Sequence, residues 1–415
     1  MTLDINYTTT NPRNVDKAIV TEVNNVSFLV KSSKRSTTAC QKTFCGGGNA
    51  VSSGLTIINQ IPSAQPFYAV QLVYANWGGS TITLNAAKVS SSPTHQNDGT
   101  ALTWANVTFS GATSGTVPAA VSGSGNDIVP GMLVSDVIPL TSVARTDDIT
   151  KQPLLQVRTY SSGASSAISI GATDIADFNA AGVITGAQWA ARIPAGDLVT
   201  TIAASQPLEA GTWISPATVK FFYSSEGFTL AAVGDSLTRG QASSGGSTGW
   251  PTRLQQLQPI PDTRLNIANF GWSGQTHAAS MLMAKQVISV VKPNALSFFA
   301  WSPNDGAASD GIMDATWART LEIIELCRQN GVIPIVCTSG PVNAYTTQQD
   351  ARVKAQNARV RALPNIVFDF ASVLEDPADT SNISTAYDSG DGLHYNNAGY
   401  QAMADVADAV LSQLN

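Results

Sequence analysis

The stretch Phe228–Thr238 reads FTLAAVGDSLT and joins two kinds of local pattern. Five of its first six residues are apolar and suit a buried β-strand, while the Gly234, Asp235 and Ser236 that follow suit a tight turn. A strand that ends in such a turn presents the serine hydroxyl at the edge of a sheet. The stretch therefore predicts a nucleophile at Ser236, provided that a base and an acid reach it from elsewhere in the chain.

The chain beyond this stretch alternates between apolar runs and amphipathic stretches. The predicted strands are Thr229–Val233, Leu265–Phe270, Ala295–Trp301, Val332–Cys337 and Ile366–Phe370. The predicted helices are Trp250–Leu257, Ala278–Val291, Ile312–Gln329, Gln348–Leu363 and Asn397–Leu414. Continuous apolar strands that alternate with helices predict a parallel sheet covered on both faces, with a site beyond the carboxyl ends of its strands.

Candidate catalytic side chains fall where such a site is expected. The loops Gly234–Thr238, Gly271–Thr276 and Ser302–Gly306 each follow a predicted strand, so they can converge on one crevice. Asp391 and His394 stand three positions apart, just before the last predicted helix. An imidazole can accept the proton of a serine hydroxyl during attack, and a carboxylate can hold the imidazole in the required tautomer. We therefore expect His394 to act as base and Asp391 as the orienting acid.

Four blocks of this half resemble the SGNH, or GDSL, hydrolase family. In chain order they are Gly234–Thr238 (GDSLT), Asn269–Thr276 (NFGWSGQT), Ser302–Asp305 (SPND) and Asp391–His394 (DGLH). The resemblance covers about the last 190 residues. It implies a three-layer, flavodoxin-like α/β domain with esterase activity and without a metal or organic cofactor.

The resemblance also assigns roles to single positions. It implies that Ser236 is the nucleophile and that the backbone N–H groups of Ser236 and Gly274, with the side-chain amide of Asn304, bind the oxyanion. It implies that Asp391 and His394 are the catalytic acid and base.

The chain departs from the family pattern at two places. The third block usually has a glycine where Ser302 stands, and that side chain could narrow the crevice or tilt the loop. The family often has proline where Tyr395 follows His394, and we expect Tyr395 to pack. Asp388 is a rival to Asp391 as the orienting acid, although it is six positions from His394.

For most of the other polar and aromatic residues that could take part in chemistry, a role in the fold is favoured over a role in catalysis. Asp235 and Asp305 are expected to bond within their own loops, His95 to lie in a solvated loop, and His277 to begin a helix. Trp250, Trp272 and Trp301 fall near the predicted crevice, where they could stack on substrate or belong to the core. Arg239 could meet an anionic substrate, but a surface ion pair is favoured.

The first half of the chain has a different pattern of residues. Short β-prone segments separated by Gly, Ser, Asn and Pro predict a mostly β region, such as a sandwich or jelly roll. Examples of these segments are Ala18–Val23, Phe67–Tyr74, Thr81–Leu84 and Leu154–Tyr160. The stretch 110–126 is predicted to be a long loop, and Thr173–Ala191 to hold a short helix. We therefore divide the 415 residues into a β-rich region, 1–225, and a hydrolase domain, 226–415.

Composition narrows the classes of partner. The chain is 43% hydrophobic and 13% charged with a net charge of −6, which argues against nucleic acid and anionic membranes as partners. No apolar run is long enough to span a membrane, and the N-terminus lacks the features of a signal peptide. Cys40 and Cys45 could form a disulfide, whereas Cys327 and Cys337 are expected to be buried thiols. The pattern leaves the compartment and the oligomeric state open, with a weak preference for an extracellular or virion location.

The sequence as a whole predicts a serine esterase. An attached β region resembles the arrangement of carbohydrate esterases with jelly-roll modules, so O-deacetylation of a carbohydrate is the first expectation. A lipolytic or short-chain arylesterase is the alternative among enzymes. A glycan-binding or virion structural protein with a vestigial hydrolase fold is the alternative of another class.

Overall fold

The structure is a computed structural model, and it describes fifteen ranges of the chain. These are 37–39, 45–51, 55–63, 65–76, 78–94, 102–122, 127–146, 153–162, 165–169, 189–193, 216–223, 227–243, 249–257, 265–306 and 309–413. The predicted strand Ala18–Val23, His95, Cys40 and the side chain of Cys45 lie outside the described residues.

Short antiparallel strands make up most of the described chain before residue 224. They are β1 (Thr37–Ala39), β2 (Cys45–Val51), β3 (Leu55–Pro62), β4 (Phe67–Asn76), β5 (Ile82–Ser92), β6 (Ala105–Asn106), β7 (Gly115–Val117), β8 (Val121–Ser122), β9 (Ile128–Val129), β10 (Gly131–Val134), β11 (Ile138–Pro139), β12 (Leu154–Ser161), β13 (Ser165–Ser169), β14 (Trp189–Ile193) and β15 (Pro216–Tyr223). Two antiparallel sheets hold most of these strands, in the orders β1-β15-β4-β10 and β14-β3-β12-β5-β6.

These two sheets share one hydrophobic core. Buried Leu72 and Phe221 from the first sheet pack in the same cluster as Val89 and Val157 from the second. The prediction of a mostly β region is confirmed, whereas its assignment as a sandwich or jelly roll stays a prediction.

One local prediction in this region is wrong. The stretch expected to be a long loop, 110–126, contains β7 and β8, because Thr116, Val117 and Val121 supply β-favouring residues between the glycines. The last three residues of Thr173–Ala191, the stretch expected to hold a short helix, lie in β14 and pair with β3. The rest of that stretch lies outside the described residues, so the short helix stays a prediction.

A parallel sheet of five strands forms the centre of the chain from residue 228 onward. Its strands are β16 (Phe228–Gly234), β17 (Leu265–Gly271), β18 (Ala295–Phe299), β19 (Ile333–Cys337) and β20 (Ile366–Phe368). Their order across the sheet, β17-β16-β18-β19-β20, is the order of flavodoxin-like folds. All five strands were predicted, and the parallel α/β fold of this half is confirmed.

Helices cover both faces of this sheet. They are α1 (Ser236–Arg239), α2 (Trp250–Leu257), α3 (His277–Gln286), α4 (Asp310–Gln329), α5 (Thr347–Arg361), α6 (Ala371–Leu374) and α7 (Asn397–Ser412). A π-helical segment, Val287–Val291, continues α3, and a 3₁₀ turn, Pro303–Asp305, follows β18. Leu254 of α2 and Met403 of α7 pack in the core on one face, while Met283 of α3 and Ile323 of α4 pack on the other. The result is a three-layer domain.

The β region contacts this domain on the α3 side. Ile128 and Met132 pack against the core that contains Met283. The ammonium group of Lys220, in β15, donates a hydrogen bond to the carbonyl oxygen of Val290 at 2.6 Å. Polar and apolar contacts therefore hold the two parts together.

Two further features of this half bear on the predictions. Cys327 and Cys337 are buried free thiols, as expected, and burial raises the pKa of Cys327 to about 12. Within the described ranges, none of the helices combines the length and hydrophobicity that crossing a bilayer requires.

Candidate active site

Ser236 lies in the turn between β16 and α1. Asp235 caps this helix, since its carboxylate accepts the N–H of Leu237 at 2.9 Å. A Cβ atom on Gly234 would stand 2.1 Å from Oγ1 of Thr238, so a larger residue there would collide with the first helical turn. The local sequence thus places Ser236 at the carboxyl end of a strand inside the sheet, at the first position of a short helix.

His394 reaches Ser236 from the loop before α7. Its Nε2 lies 3.0 Å from Oγ of Ser236, and its Nδ1 lies 2.6 Å from Oδ2 of Asp391. Gly390 and Gly392 have φ angles of 100° and 71°, which glycine adopts without strain and which fold the loop back on itself. The structure therefore brings Ser236, His394 and Asp391 into one chain of hydrogen bonds.

The Asp391 carboxylate is held in its ionised form. Burial acts to raise its pKa, but hydrogen bonds from the backbone N–H and imidazole of His394 and from the N–H of Leu393 outweigh burial and lower the pKa to about 2. An ionised carboxylate accepts Nδ1–H, which leaves Nε2 as an acceptor facing the serine hydroxyl. This arrangement can remove the hydroxyl proton of Ser236.

The carboxylate of Asp388, the rival acid, accepts hydrogen bonds from groups other than the imidazole. Its Oδ1 accepts the N–H groups of Gly390 at 2.8 Å and Gly392 at 3.1 Å. Its Oδ2 accepts the side-chain amide of Asn343 at 3.0 Å. These bonds shape the loop that carries His394.

The second predicted block forms the turn between β17 and α3. A Cβ atom on Gly271 would stand 2.3 Å from the backbone nitrogen of Arg239, so this glycine allows the end of β17 to lie against α1. Gly274 has a φ of 82°, in the left-handed region. Thr276 then caps α3 by accepting the N–H of Ala279 at 3.3 Å. The turn thus brings Gly274 to the same edge of the sheet as Ser236.

The third block contributes Asn304 from the 3₁₀ turn after β18. Its side-chain nitrogen donates to the carbonyl oxygen of Gln275 at 3.0 Å and approaches Oγ of Ser302 at 3.3 Å. The loop after β17 and the loop after β18 are therefore joined by the bond from Asn304 to Gln275.

Ser302, which stands where the resemblance leads one to expect glycine, points between the loops and not into the crevice. Its buried hydroxyl lies 2.5 Å from Oδ2 of Asp235 and 3.0 Å from the carbonyl oxygen of Gln275. Burial raises the pKa of Asp235, against the hydrogen bonds from Ser302 and from the N–H of Leu237. The hydroxyl thus ties together all three loops that follow β16, β17 and β18.

Asp305 adds a second link between loops. Its carboxylate accepts the backbone N–H groups of His277 at 3.2 Å and of Ser302 at 3.3 Å. Burial raises its pKa to about 6, although these two hydrogen bonds oppose the shift. Asp235 and Asp305 each bond within their own loop, as the sequence predicted, and each also reaches another loop.

The other residues singled out in the sequence, His277, Tyr395 and Arg239, make contacts that support the fold. His277 is buried at the start of α3 beside Thr320, and burial, with Arg319 nearby, lowers its pKa to about 3. Tyr395 is buried with its ring against Tyr400, so it packs as expected. Arg239 donates to Oγ of Ser273 at 3.0 Å, and the described residues give it no carboxylate partner.

The three tryptophans belong to the core. Trp250, Trp272 and Trp301 are 1%, 7% and 1% exposed. The ring of Trp250 lies against Phe368 and Phe370, and that of Trp301 against Tyr345. The hypothesis that one of them stacks on substrate gains no support from these positions.

The sequence patterns indicated no role for Gln275. This residue is fully buried, and its carbonyl oxygen holds both Ser302 and Asn304. A polar residue between a glycine and a helix-capping residue was the feature of the sequence that could have indicated this role.

Within the described residues, His, Cys, Asp and Glu form no group of three or more that could hold a metal ion.

Comparison with known proteins identifies a family for part of the chain. Residues 232–402 match the sequence profile of the GDSL-like lipase/acylhydrolase family. No curated protein sequence is significantly similar to the chain.

Several solved structures are similar to the same half of the chain. A G-D-S-L family protein from Desulfitobacterium hafniense is 21% identical over 44% of this chain and 98% of its own, with a TM-score of 0.38. A lipolytic G-D-S-L family protein from Veillonella parvula is 20% identical over 45% and 98%, with a TM-score of 0.37. The lipase/acylhydrolase from Enterococcus faecalis is 17% identical over 44% and 94%, with a TM-score of 0.36.

The profile match spans the turn that carries Ser236, the loops after β17 and β18, and the loop that carries His394. Residues 232–402 are therefore a domain of the GDSL-like lipase/acylhydrolase family, and the protein is an ester hydrolase.

Proposed function

We propose that the protein is a serine esterase in which Ser236 is the nucleophile, His394 the general base and Asp391 the acid that orients the imidazole. The observation that supports this most directly is the chain of hydrogen bonds from Oγ of Ser236 through the imidazole to Asp391, at 3.0 Å and 2.6 Å. Such a chain activates a hydroxyl that is otherwise a poor nucleophile.

The reaction proceeds by two acyl transfers. Oγ of Ser236 bonds to the ester carbonyl carbon while its proton passes to Nε2 of His394. The tetrahedral intermediate then expels the alcohol oxygen, which takes that proton, and an acyl-serine is left. A water molecule attacks the acyl carbon with His394 again as base, and the carboxylic acid leaves as Ser236 regains its proton.

The oxyanion of each intermediate is bound by the N–H groups of Ser236 and Gly274 and by the amide of Asn304. One amide hydrogen of Asn304 is engaged by Gln275 at 3.0 Å, whereas the contact with Ser302 is long at 3.3 Å. The second hydrogen is therefore the one available to the oxyanion. Each donor of this kind contributes about 10²–10³ to turnover.

The substrate that we propose is an O-acetyl ester of a carbohydrate. Ser236 is only 4% exposed, which favours a small acyl group. Among the described residues, the exposed large apolar side chains are Tyr68, Val121, Val137, Val143, Leu257, Leu282 and Leu321. None of these lies in the loops that follow the strands of the parallel sheet, which favours a short acyl chain over a long one. In this proposal residues 1–225 form a separate β region that braces the catalytic domain, 226–415, or binds glycan.

The test is hydrolysis of a panel of substrates by the full-length protein and two variants. The panel contains acetylated polysaccharides and p-nitrophenyl esters of increasing acyl length. We expect hydrolysis to fall as the acyl chain lengthens, and Ser236→Ala to lower kcat by about 10⁶ on every substrate that is hydrolysed. Ser243→Ala is the matched control, because Ser243 is also buried and follows the same helix, and its hydroxyl donates to the carbonyl oxygen of Gly240 in the same turn.

Each alternative has its own outcome. A preference for long acyl chains would identify a lipolytic enzyme and overturn the substrate proposal. Hydrolysis that Ser236→Ala leaves unchanged would overturn the mechanism. No hydrolysis of any ester would favour a binding or structural protein.

A further inference from the structure

The β region reaches the loop between β17 and α3 through two adjacent residues, Asp127 and Ile128. Oδ1 of Asp127 accepts the backbone N–H of Thr276 at 2.9 Å, and Oδ2 accepts the Thr276 hydroxyl at 3.0 Å. The side-chain amide of Gln275 donates to the carbonyl oxygen of Ile128 at 2.5 Å. Two consecutive residues of the hydrolase domain are thus held by two consecutive residues of the β region.

The bonds to Thr276 extend the cap of α3. The Thr276 hydroxyl donates to Asp127 while it accepts the N–H of Ala279, so the carboxylate fixes the orientation of the capping side chain. A negative charge at this end of the helix is favourable because the first N–H groups point toward it. The start of α3 is therefore fixed from outside the hydrolase domain.

Gln275 connects this contact to both oxyanion donors that lie outside the Ser236 turn. Its own carbonyl oxygen accepts the amide of Asn304 at 3.0 Å. The residue before it is Gly274, whose left-handed φ of 82° orients the adjoining peptide groups. A shift of Gln275 or Thr276 would move the Gly274 N–H and release Asn304, and errors of about 1 Å in such positions cost about 10²-fold in rate.

We infer that Asp127 is a positioning residue for the oxyanion-binding groups, so that the β region completes the active site. This inference rests on the proposed function, because it assigns a consequence to the donors named there. The β region on this account is needed for turnover, beyond any role in binding glycan.

Three variants of the full chain test the inference with p-nitrophenyl acetate as substrate. Asp127→Ala removes both bonds to Thr276, whereas Asp127→Asn keeps an oxygen for the N–H and places an amide where the hydroxyl can accept. Asp136→Ala is the matched control: Asp136 also accepts backbone and hydroxyl donors, from Thr108, Ser110 and Gly111, but all of them lie in the β region. The melting temperature of each variant is measured alongside its kinetics.

We expect Asp127→Ala to lower kcat at least tenfold with KM changed less than about threefold, since the donors act in the transition state. Asp127→Asn should restore kcat to within about threefold of the wild type, and Asp136→Ala should leave kcat within about twofold. A folded Asp127→Ala protein with kcat within twofold of the wild type would overturn the inference. So would an equal loss of kcat in Asp136→Ala, because the effect would then follow general destabilisation.

A fourth variant covers the case in which Asp127→Ala does not fold. Thr276→Val keeps the backbone bond to Asp127 and loses only the hydroxyl bonds, and we expect it to lower kcat at least threefold; an unchanged kcat would overturn the inference. The proposed function is judged separately. If the wild type hydrolyses esters, Ser236→Ala abolishes this, and the Asp127 and Thr276 variants are unaffected, only the positioning role fails.

Discussion

At the scale of single residues, the Asp391 carboxylate illustrates how one side chain can shape a loop and hold an imidazole. Its Oδ1 accepts the N–H groups of Leu393 at 2.9 Å and His394 at 2.7 Å, and its Oδ2 accepts the imidazole. The same bonds that keep its pKa low therefore also turn the histidine toward Ser236.

Replacing Asp391 by asparagine should lower kcat by about 10⁴. Asparagine presents an amide donor to the imidazole, which favours the tautomer that carries its proton on Nε2 and cannot accept one from serine. Steady-state kinetics on the preferred ester would measure the loss. Asp388→Asn is the control in the same loop, and we expect a far smaller effect because Asp388 bonds to Gly390, Gly392 and Asn343. If the two variants lost activity in the opposite order, the acid would have been assigned to the wrong residue.

At the scale of elements, the close approach of β17 to α1 depends on Gly271. A Cβ atom there would lie 2.3 Å from the nitrogen of Arg239 and 2.8 Å from the carbonyl carbon of Thr238. Both are backbone atoms, so the clash cannot be relieved by rotating a side chain. The turn that carries Ser236 would have to move away from the sheet.

We expect Gly271→Ala to destabilise the protein by about 1–3 kcal/mol, the usual cost of forcing an extra methyl group into a packed site. The matched control is Gly311→Ala in α4, where an added Cβ atom meets nothing within 4 Å. That variant should be neutral or slightly more stable, since alanine favours helix. Urea unfolding followed by tryptophan fluorescence would measure both. Equal stability of the two variants would show that the turn can shift without cost.

At the scale of the whole molecule, Lys220 marks the contact between the β region and the hydrolase domain. Burial, together with the nearby charge of Lys292, lowers the pKa of Lys220 to about 8. Its ammonium group bonds to Val290, at the end of the helical segment that α3 begins. The contact therefore carries a titratable group.

This group should make the stability of the protein depend on pH in a specific window. Between about pH 8 and the ordinary lysine value of 10.5, the unfolded chain holds a proton at Lys220 that the folded chain has lost. The free energy of unfolding then rises with pH, by at most about 1.4 kcal/mol per unit from this group. Below pH 8 both states are protonated and the group adds no slope.

The comparison that isolates this contribution is wild type against Lys220→Met, unfolded in urea at pH 7.5 and 9.5. We expect the wild type to gain stability relative to the variant as the pH rises. Parallel pH dependence of the two proteins would mean that Lys220 keeps its ordinary pKa in the folded state.

The parallel α/β half could be predicted from the order of residues alone, because apolar strand runs and helical periodicity are local properties that burial on two faces imposes. The family and the four blocks could be predicted as well, since the Gly234–Thr238 turn and the Asp391–His394 loop are formed by neighbouring residues. The antiparallel pairing of β14 with β3 could not be predicted, because it depends on a strand partner distant in the chain.

Which distant groups meet was set by tertiary packing. The 3.0 Å contact of Ser236 with His394 joins residues 158 positions apart, and the 2.9 Å contact of Asp127 with Thr276 joins residues 149 positions apart. The sequence likewise could not predict that the Ser302 hydroxyl lies between Asp235 and the carbonyl oxygen of Gln275. A hydrogen bond needs two atoms within about 3 Å in the right direction, and between remote segments only the packing of sheets and helices sets that distance.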